Sequence, residues 1–99
     1  MSIASSAEPV RVLVVDDEPN IVDVISMALR FEGFEVASAA TGADAIASVA
    51  AQRPQLLVLD VMLPDIDGFE VARRLATART EVPIIFLTAR ESTEDVVTA

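Results

Sequence analysis

Four short apolar runs, separated by segments with helical spacing, constrain this chain more than any other feature. They are Val10–Val15 (VRVLVV), Phe34–Ala39 (FEVASA), Leu56–Leu59 (LLVL) and Ile84–Leu87 (IIFL). Leu56–Leu59 shows no alternation of polar and apolar residues, which suits a parallel strand covered on both faces. Between the runs, the spacing predicts helices. Pro19 suits a first helical turn, where its missing N–H is not needed. Ile21, Val24, Ile25, Ala28 and Leu29 then recur as an inward face, and Gly33 is a stop signal. Thr41-Gly42 reads as a turn and Ala43–Ala51 as a second helix, with Ile46 and Val49 inward, broken at Arg53-Pro54. A loop at Val61–Gly68 leads to a third helix from Phe69 to about Ala78, with Phe69, Ala72, Leu75 and Ala76 inward. Ser92-Thr93-Glu94-Asp95 has the form of a capping box, so a fourth helix is expected to start near Thr93, with no room to finish before Ala99.

Regular strand–helix alternation implies an α/β domain, a parallel sheet with helices on both faces and right-handed crossovers. The 99 residues suffice for one small domain. Met1–Pro9 is small and polar, without the basic and apolar regions of a signal peptide, and reads as a disordered arm (1–9) before a domain at 10–99. No apolar run approaches the roughly 18 residues of a membrane span, so a cytoplasmic chain with no membrane partner is expected. The net charge is −9, and the seven basic residues are all Arg. That balance disfavours nucleic acid as a partner for this chain, because phosphate backbones need basic patches. Cys and His are absent, which removes thiolate and imidazole ligands and nucleophiles.

In open parallel sheets the ligand site lies beyond the carboxyl ends of the strands, where strand order reverses. Asp16, Asp17 and Glu18 follow the first run, Asp60 ends the third, and Thr88 ends the fourth. If the first and third strands are neighbours, Asp16, Asp17 and Asp60 converge. Like charges that close resist joint ionisation, so a pKa rises unless a cation intervenes. An all-oxygen set of this kind suits Mg²⁺. A carboxylate beside such an ion can act as a nucleophile toward phosphorus. An Asp at a strand end is also a common loop or capping residue, and Gly68 reads as a backbone requirement rather than a ligand.

Three segments carry a resemblance. Leu13-Val14-Val15-Asp16-Asp17-Glu18-Pro19, Asp60-Val61-Met62-Leu63-Pro64-Asp65-Ile66-Asp67-Gly68 and Pro83-Ile84-Ile85-Phe86-Leu87-Thr88-Ala89-Arg90 resemble, in order, the opening, the phosphoacceptor loop and the fourth strand of bacterial response regulator receiver domains. The wording is closest to regulators with a winged-helix DNA-binding output domain. The resemblance implies a flavodoxin-like doubly wound parallel sheet, strand order 2-1-3-4, here lacking the family's fifth strand and helix. It implies that Asp60 accepts a phosphoryl group from a sensor histidine kinase. It implies Mg²⁺ held by Asp16, Asp17, Asp60 and the backbone carbonyl of Met62. Thr88 and the Ala89 amide would bind the phosphoryl group, Thr88 acting as the switch. The output, transcriptional in such regulators, would lie outside this chain, and the domain itself is not expected to be an enzyme.

The family also places a Lys after its fifth strand, and this chain contains none. A truncated receiver is therefore expected, with strand four an open edge that invites a dimer or an exchanged-element oligomer. The strongest rival is a receiver-like interaction module that is not phosphorylated. A magnesium-dependent aspartyl phosphohydrolase would use the acids after strand one, but needs a downstream Lys. A flavin binder would need hydroxyls and amides where Asp16-Asp17-Glu18 stands.

Overall fold

The computed structural model describes residues 9–87 and 97–98. Its elements are β1 (Arg11–Val15), α1 (Pro19–Phe31), β2 (Glu35–Ala39), α2 (Gly42–Gln52), β3 (Leu56–Asp60), α3 (Gly68–Thr77), β4 (Ile84–Leu87) and β5 (Val97–Thr98). The sheet order is β2-β1-β3-β4-β5. The first four strands are parallel, as the alternation predicts.

Period-two alternation sorts each strand between two cores. Leu13, Val15, Leu57, Leu59 and Phe86 point to one face, where Ala45 and Val49 of α2 and Val71 and Leu75 of α3 meet them. Val12, Val14 and Val58 point to the other face, covered by Val22, Ile25 and Leu29 of α1. Burial on both faces is why β1 and β3 carry apolar residues at consecutive positions.

The helix boundaries follow local chemistry. Pro19 stands in the first turn of α1, and Gly33 turns the chain at φ +98° just beyond its end. Thr41 caps α2 by accepting from the Asp44 amide at 3.0 Å. Asp67 caps α3 by accepting from the Glu70 amide at 2.8 Å.

Three expectations need correction. On α1 the inward face is Val22, Ile25, Ser26 and Leu29, whereas Ile21, Val24 and Ala28 are exposed. On α3 the buried residues are Gly68, Val71 and Leu75, with Ala72 packed against the same core; Leu75 and Ala72 face inward as expected, whereas Phe69 and Ala76 are exposed. Phe69 instead lays its ring on Phe86, centroids 4.9 Å apart and tilted by 48°. Finally, Val97–Thr98 is a strand rather than part of a helix, and it pairs antiparallel with Ile85 and Phe86. The stretch from Leu87 to Val97 is too short for a parallel crossover, which needs about a dozen residues or more. An antiparallel return is the pairing it allows, and it covers part of the β4 edge expected to be open. The predicted helix start at Thr93 lies outside the described residues.

Candidate functional site

β1 and β3 are hydrogen-bonded neighbours with Val15 opposite Leu59. The next residue of each segment is an aspartate, Asp16 just past the end of β1 and Asp60 at the end of β3, so the two leave the sheet side by side. Asp17 follows at the turn into α1. The carboxylates of Asp16, Asp17 and Asp60 offer oxygens that all lie within 4.8 Å of one another. This is the convergence expected of neighbouring first and third strands.

The surroundings differ for each acid. Asp16 and Asp60 are buried, at 7% and 5% exposure, and Asp17 is exposed. The Asp16 carboxylate accepts from the Glu18 amide at 2.9 Å, which turns the chain toward α1. Burial, and then the charge of Asp16, push the Asp60 carboxyl up to about 6, while the Met62 amide pulls against them. Burial also raises Asp16, with the Glu18 amide opposing and the Asp17 charge adding to the rise. A cation placed among these carboxylates would offset the crowding of negative charge. The donor set, all oxygen and partly open to water, fits a hard divalent ion.

A cleft of about 710 Å³ opens above these carboxylates, walled by Ile21, Val24, Ile25, Met62 and Leu87. Met62 lies in the loop after β3 and its side chain is exposed. The structure therefore brings Asp16, Asp17, Asp60 and Met62 to one opening. Thr88 and Ala89 lie outside the described residues; Leu87, which precedes them, pairs with Asp60 across β3 and β4.

Gly68 confirms its reading as a backbone requirement. A Cβ there would overlap the carbonyl oxygen of Asp60 and stand 3.0 Å from the Cα of Val61. The Gly68 amide donates to the Val61 carbonyl at 2.8 Å and closes the loop onto the end of β3. One participant escaped the sequence reading. Asp65 accepts from the backbone amides of Gly42 and Ala43, at 2.8 and 2.9 Å, and so ties this loop to the start of α2. An Asp after Pro64 in a loop signals a turn, and nothing in the sequence names a partner more than twenty residues away.

A family model described as the response regulator receiver domain matches residues 12–99. Among curated proteins, the probable transcriptional regulatory protein TcrX of Mycobacterium tuberculosis is 46% identical over 91 residues, covering 92% of this chain and 39% of that protein. The transcriptional regulatory protein TrcR of the same organism is 47% identical over 94 residues, covering 95% of this chain and 37% of that protein. The chain thus spans less than two fifths of the length of these relatives. Among solved structures, response regulator TrrA of Thermotoga maritima, in complex with Mg(2+)-BeF, superposes with a TM-score of 0.77 at 37% identity, covering 87% of this chain and 76% of that one. The signal receiver domain of a Luxo repressor protein of Vibrio parahaemolyticus gives 0.80 at 29% identity, covering 88% and 67%. No helix among the described residues is long and apolar enough to cross a membrane. The sheet order, the paired strand-end acids and these matches along nearly the whole chain agree, and the chain belongs to the response regulator receiver domain family of two-component signalling.

Proposed function

We propose that this domain accepts a phosphoryl group on Asp60 from a sensor histidine kinase, in the cytoplasm, and thereby switches a transcriptional output. The observation that carries the reading is the buried carboxylate of Asp60 held beside Asp16 and Asp17 at the switch point of the sheet. In the transfer, an Asp60 carboxylate oxygen forms a bond to phosphorus. The phosphorus–nitrogen bond of the donor phosphohistidine breaks, and the imidazole leaves with the electron pair and takes up a proton. Asp16, Asp17, Asp60 and the Met62 carbonyl would hold Mg²⁺, which when bound offsets negative charge on the phosphoryl oxygens. Asp16 and Asp17 contribute the carboxylate oxygens beside Asp60 on which the ion would rest. Ile21, Ile25 and Leu87 line the cleft through which the phosphoryl donor would approach. Thr88 and the Ala89 amide, which follow β4, are assigned to the phosphoryl oxygens. The domain is on this reading a signalling receiver rather than an enzyme with turnover.

The test is incubation of the 99-residue chain with acetyl phosphate and Mg²⁺, followed by intact mass. The expected result is one added phosphoryl group on the wild type and none on Asp60→Asn. A folded wild type that gains no mass overturns the proposal and leaves the unphosphorylated interaction module as the reading.

Self-association belongs to the same proposal. Among the described residues β5 pairs with β4 at Ile85 and Phe86, and a short edge pairing of this kind is one that an exchanged element or a second chain can replace. Size exclusion with light scattering is expected to show a dimer population that grows with concentration. A single monomer peak at high concentration overturns it.

A further inference from the structure

Near the acidic cluster, Asp65 makes a bond pair to amides 23 and 22 residues away, and the proposed transfer leaves it unused. α2 begins with amides that have no partner inside the helix. Thr41 serves the amide of Asp44. The amides of Gly42 and Ala43 are served by Asp65, one carboxylate oxygen each. This is a charge-assisted fork on a helix N-terminus, supplied by a loop from across the fold.

The loop in question runs from Asp60 to Gly68. Its first end is fixed by β3 and by the Val61 amide, which donates to the Leu87 carbonyl at 2.9 Å. Its second end is fixed by the Gly68 amide on the Val61 carbonyl. Between these ends, Met62 is exposed. The span around Met62 is closed by Asp65 with its two bonds, and by Ile66 beside it. Ile66 fills the space beside Gly42 where a Cβ would stand, and it also packs on the larger core. The loop is thereby pinned against α2 at a point three residues beyond Met62.

We infer that Asp65 is a positioning residue for the metal site: by clamping the loop after β3 to the first turn of α2, it holds the Met62 carbonyl and Asp60 in register with Asp16 and Asp17. The inference rests on the proposed function, because it takes the metal to lie on those groups. It adds a residue that touches neither the metal nor the phosphoryl group. The two amides also hold the Asp65 carboxyl down at about 2, so the clamp stays charged across the working pH range.

The test compares wild type, Asp65→Ala, Asp65→Asn and Thr41→Ala in the full 99-residue chain. Magnesium chloride affinity is read by isothermal titration calorimetry, and melting is read in EDTA. Amide exchange of Gly42, Ala43 and Met62 is followed without metal. Asp65→Ala is expected to weaken magnesium binding about ten-fold, the scale of residues that support metal ligands. Asp65→Asn, which keeps one acceptor oxygen, is expected to fall between it and wild type. Thr41→Ala loses a cap of the same helix and leaves both Asp65 bonds in place. It is expected to lower the melting temperature and leave magnesium affinity unchanged. Faster exchange at Met62 is expected in Asp65→Ala and not in Thr41→Ala. Equal magnesium affinity in wild type and Asp65→Ala overturns the inference alone. A proportional loss of affinity in Thr41→Ala overturns it as well, since helix stability would then suffice. A wild type that binds no magnesium overturns the metal reading itself, and the inference with it.

Discussion

Asp60→Asn is expected to make the metal-free domain more stable at pH 7.5, by about 2 kcal/mol. For a domain of this size that is roughly 10 °C in melting temperature. The cause is the burial of Asp60, compounded by the charge of Asp16, which together raise its carboxyl to about 6. In the unfolded chain the same group ionises near pH 4. The folded protein therefore binds this proton more tightly than the unfolded chain does. The stability that follows is fully present below about pH 4. It is lost as the pH rises through about 6, where the buried carboxylate must carry its charge. Metal-free wild type should accordingly gain stability on acidification from pH 7.5 toward pH 5, and Asp60→Asn should gain less. Added Mg²⁺ should reverse the ranking, stabilising wild type more than the variant, because the neutral amide has no charge for the cation to offset. Thermal melts at two pH values, with and without Mg²⁺, check all three statements. An Asp60→Asn variant less stable than metal-free wild type at pH 7.5 would count against charge crowding as the dominant cost.

The acidic cluster was legible in the sequence because it depends only on strand order and on what stands at the strand ends. Once β1 and β3 are neighbours, Asp16 and Asp60 have no route apart. The inward face of α1 was legible only in part: Ile25 and Leu29 were expected and face the sheet, whereas Val22 was not expected. The helix's run PNIVDVISMALRF carries apolar residues on two sides. Ile21, Val24 and Ala28 and the set Val22, Ile25 and Leu29 both satisfy helical spacing. Periodicity cannot choose between them, and the sheet contact selects the second. On α3, bulk pointed to Phe69, yet the position facing the sheet belongs to Val71, and the larger ring finds Phe86 from the side. At Val97–Thr98 a capping pattern spoke for a helix, while β4 offered a free edge to pair with. Local sequence reports only the first of these. Asp65 shows the same limit at the site. Its partners are two backbone amides on another element, and backbone amides leave no mark in the residue letters.

Gly68→Ala is expected to damage the fold and the site together. The backbone of Gly68 needs no left-handed conformation, since its φ is not positive. The glycine is required by space. A Cβ would overlap the Asp60 carbonyl oxygen and crowd the Asp60 carbonyl carbon at 3.1 Å, and both are backbone atoms that no rotamer change can move. Relief must come from shifting the end of β3 away from the start of α3, or from breaking the Gly68–Val61 bond that closes the loop. Overpacking of this kind costs about 2 kcal/mol, or roughly 10 °C here. The shift falls on the residue that carries Asp60, so magnesium affinity should drop at least about ten-fold at temperatures where the variant is still folded. Phosphorylation by acetyl phosphate should slow with it. Alanine in place of the neighbouring Phe69, which is half exposed, separates the two effects: it should lower stability through the lost Phe86 contact while leaving magnesium affinity close to wild type. Magnesium titrations and melts of the two variants side by side are the measurement. If Gly68→Ala binds magnesium as the wild type does, the backbone contact with Asp60 is a matter of packing alone and does not set the geometry of the acidic cluster.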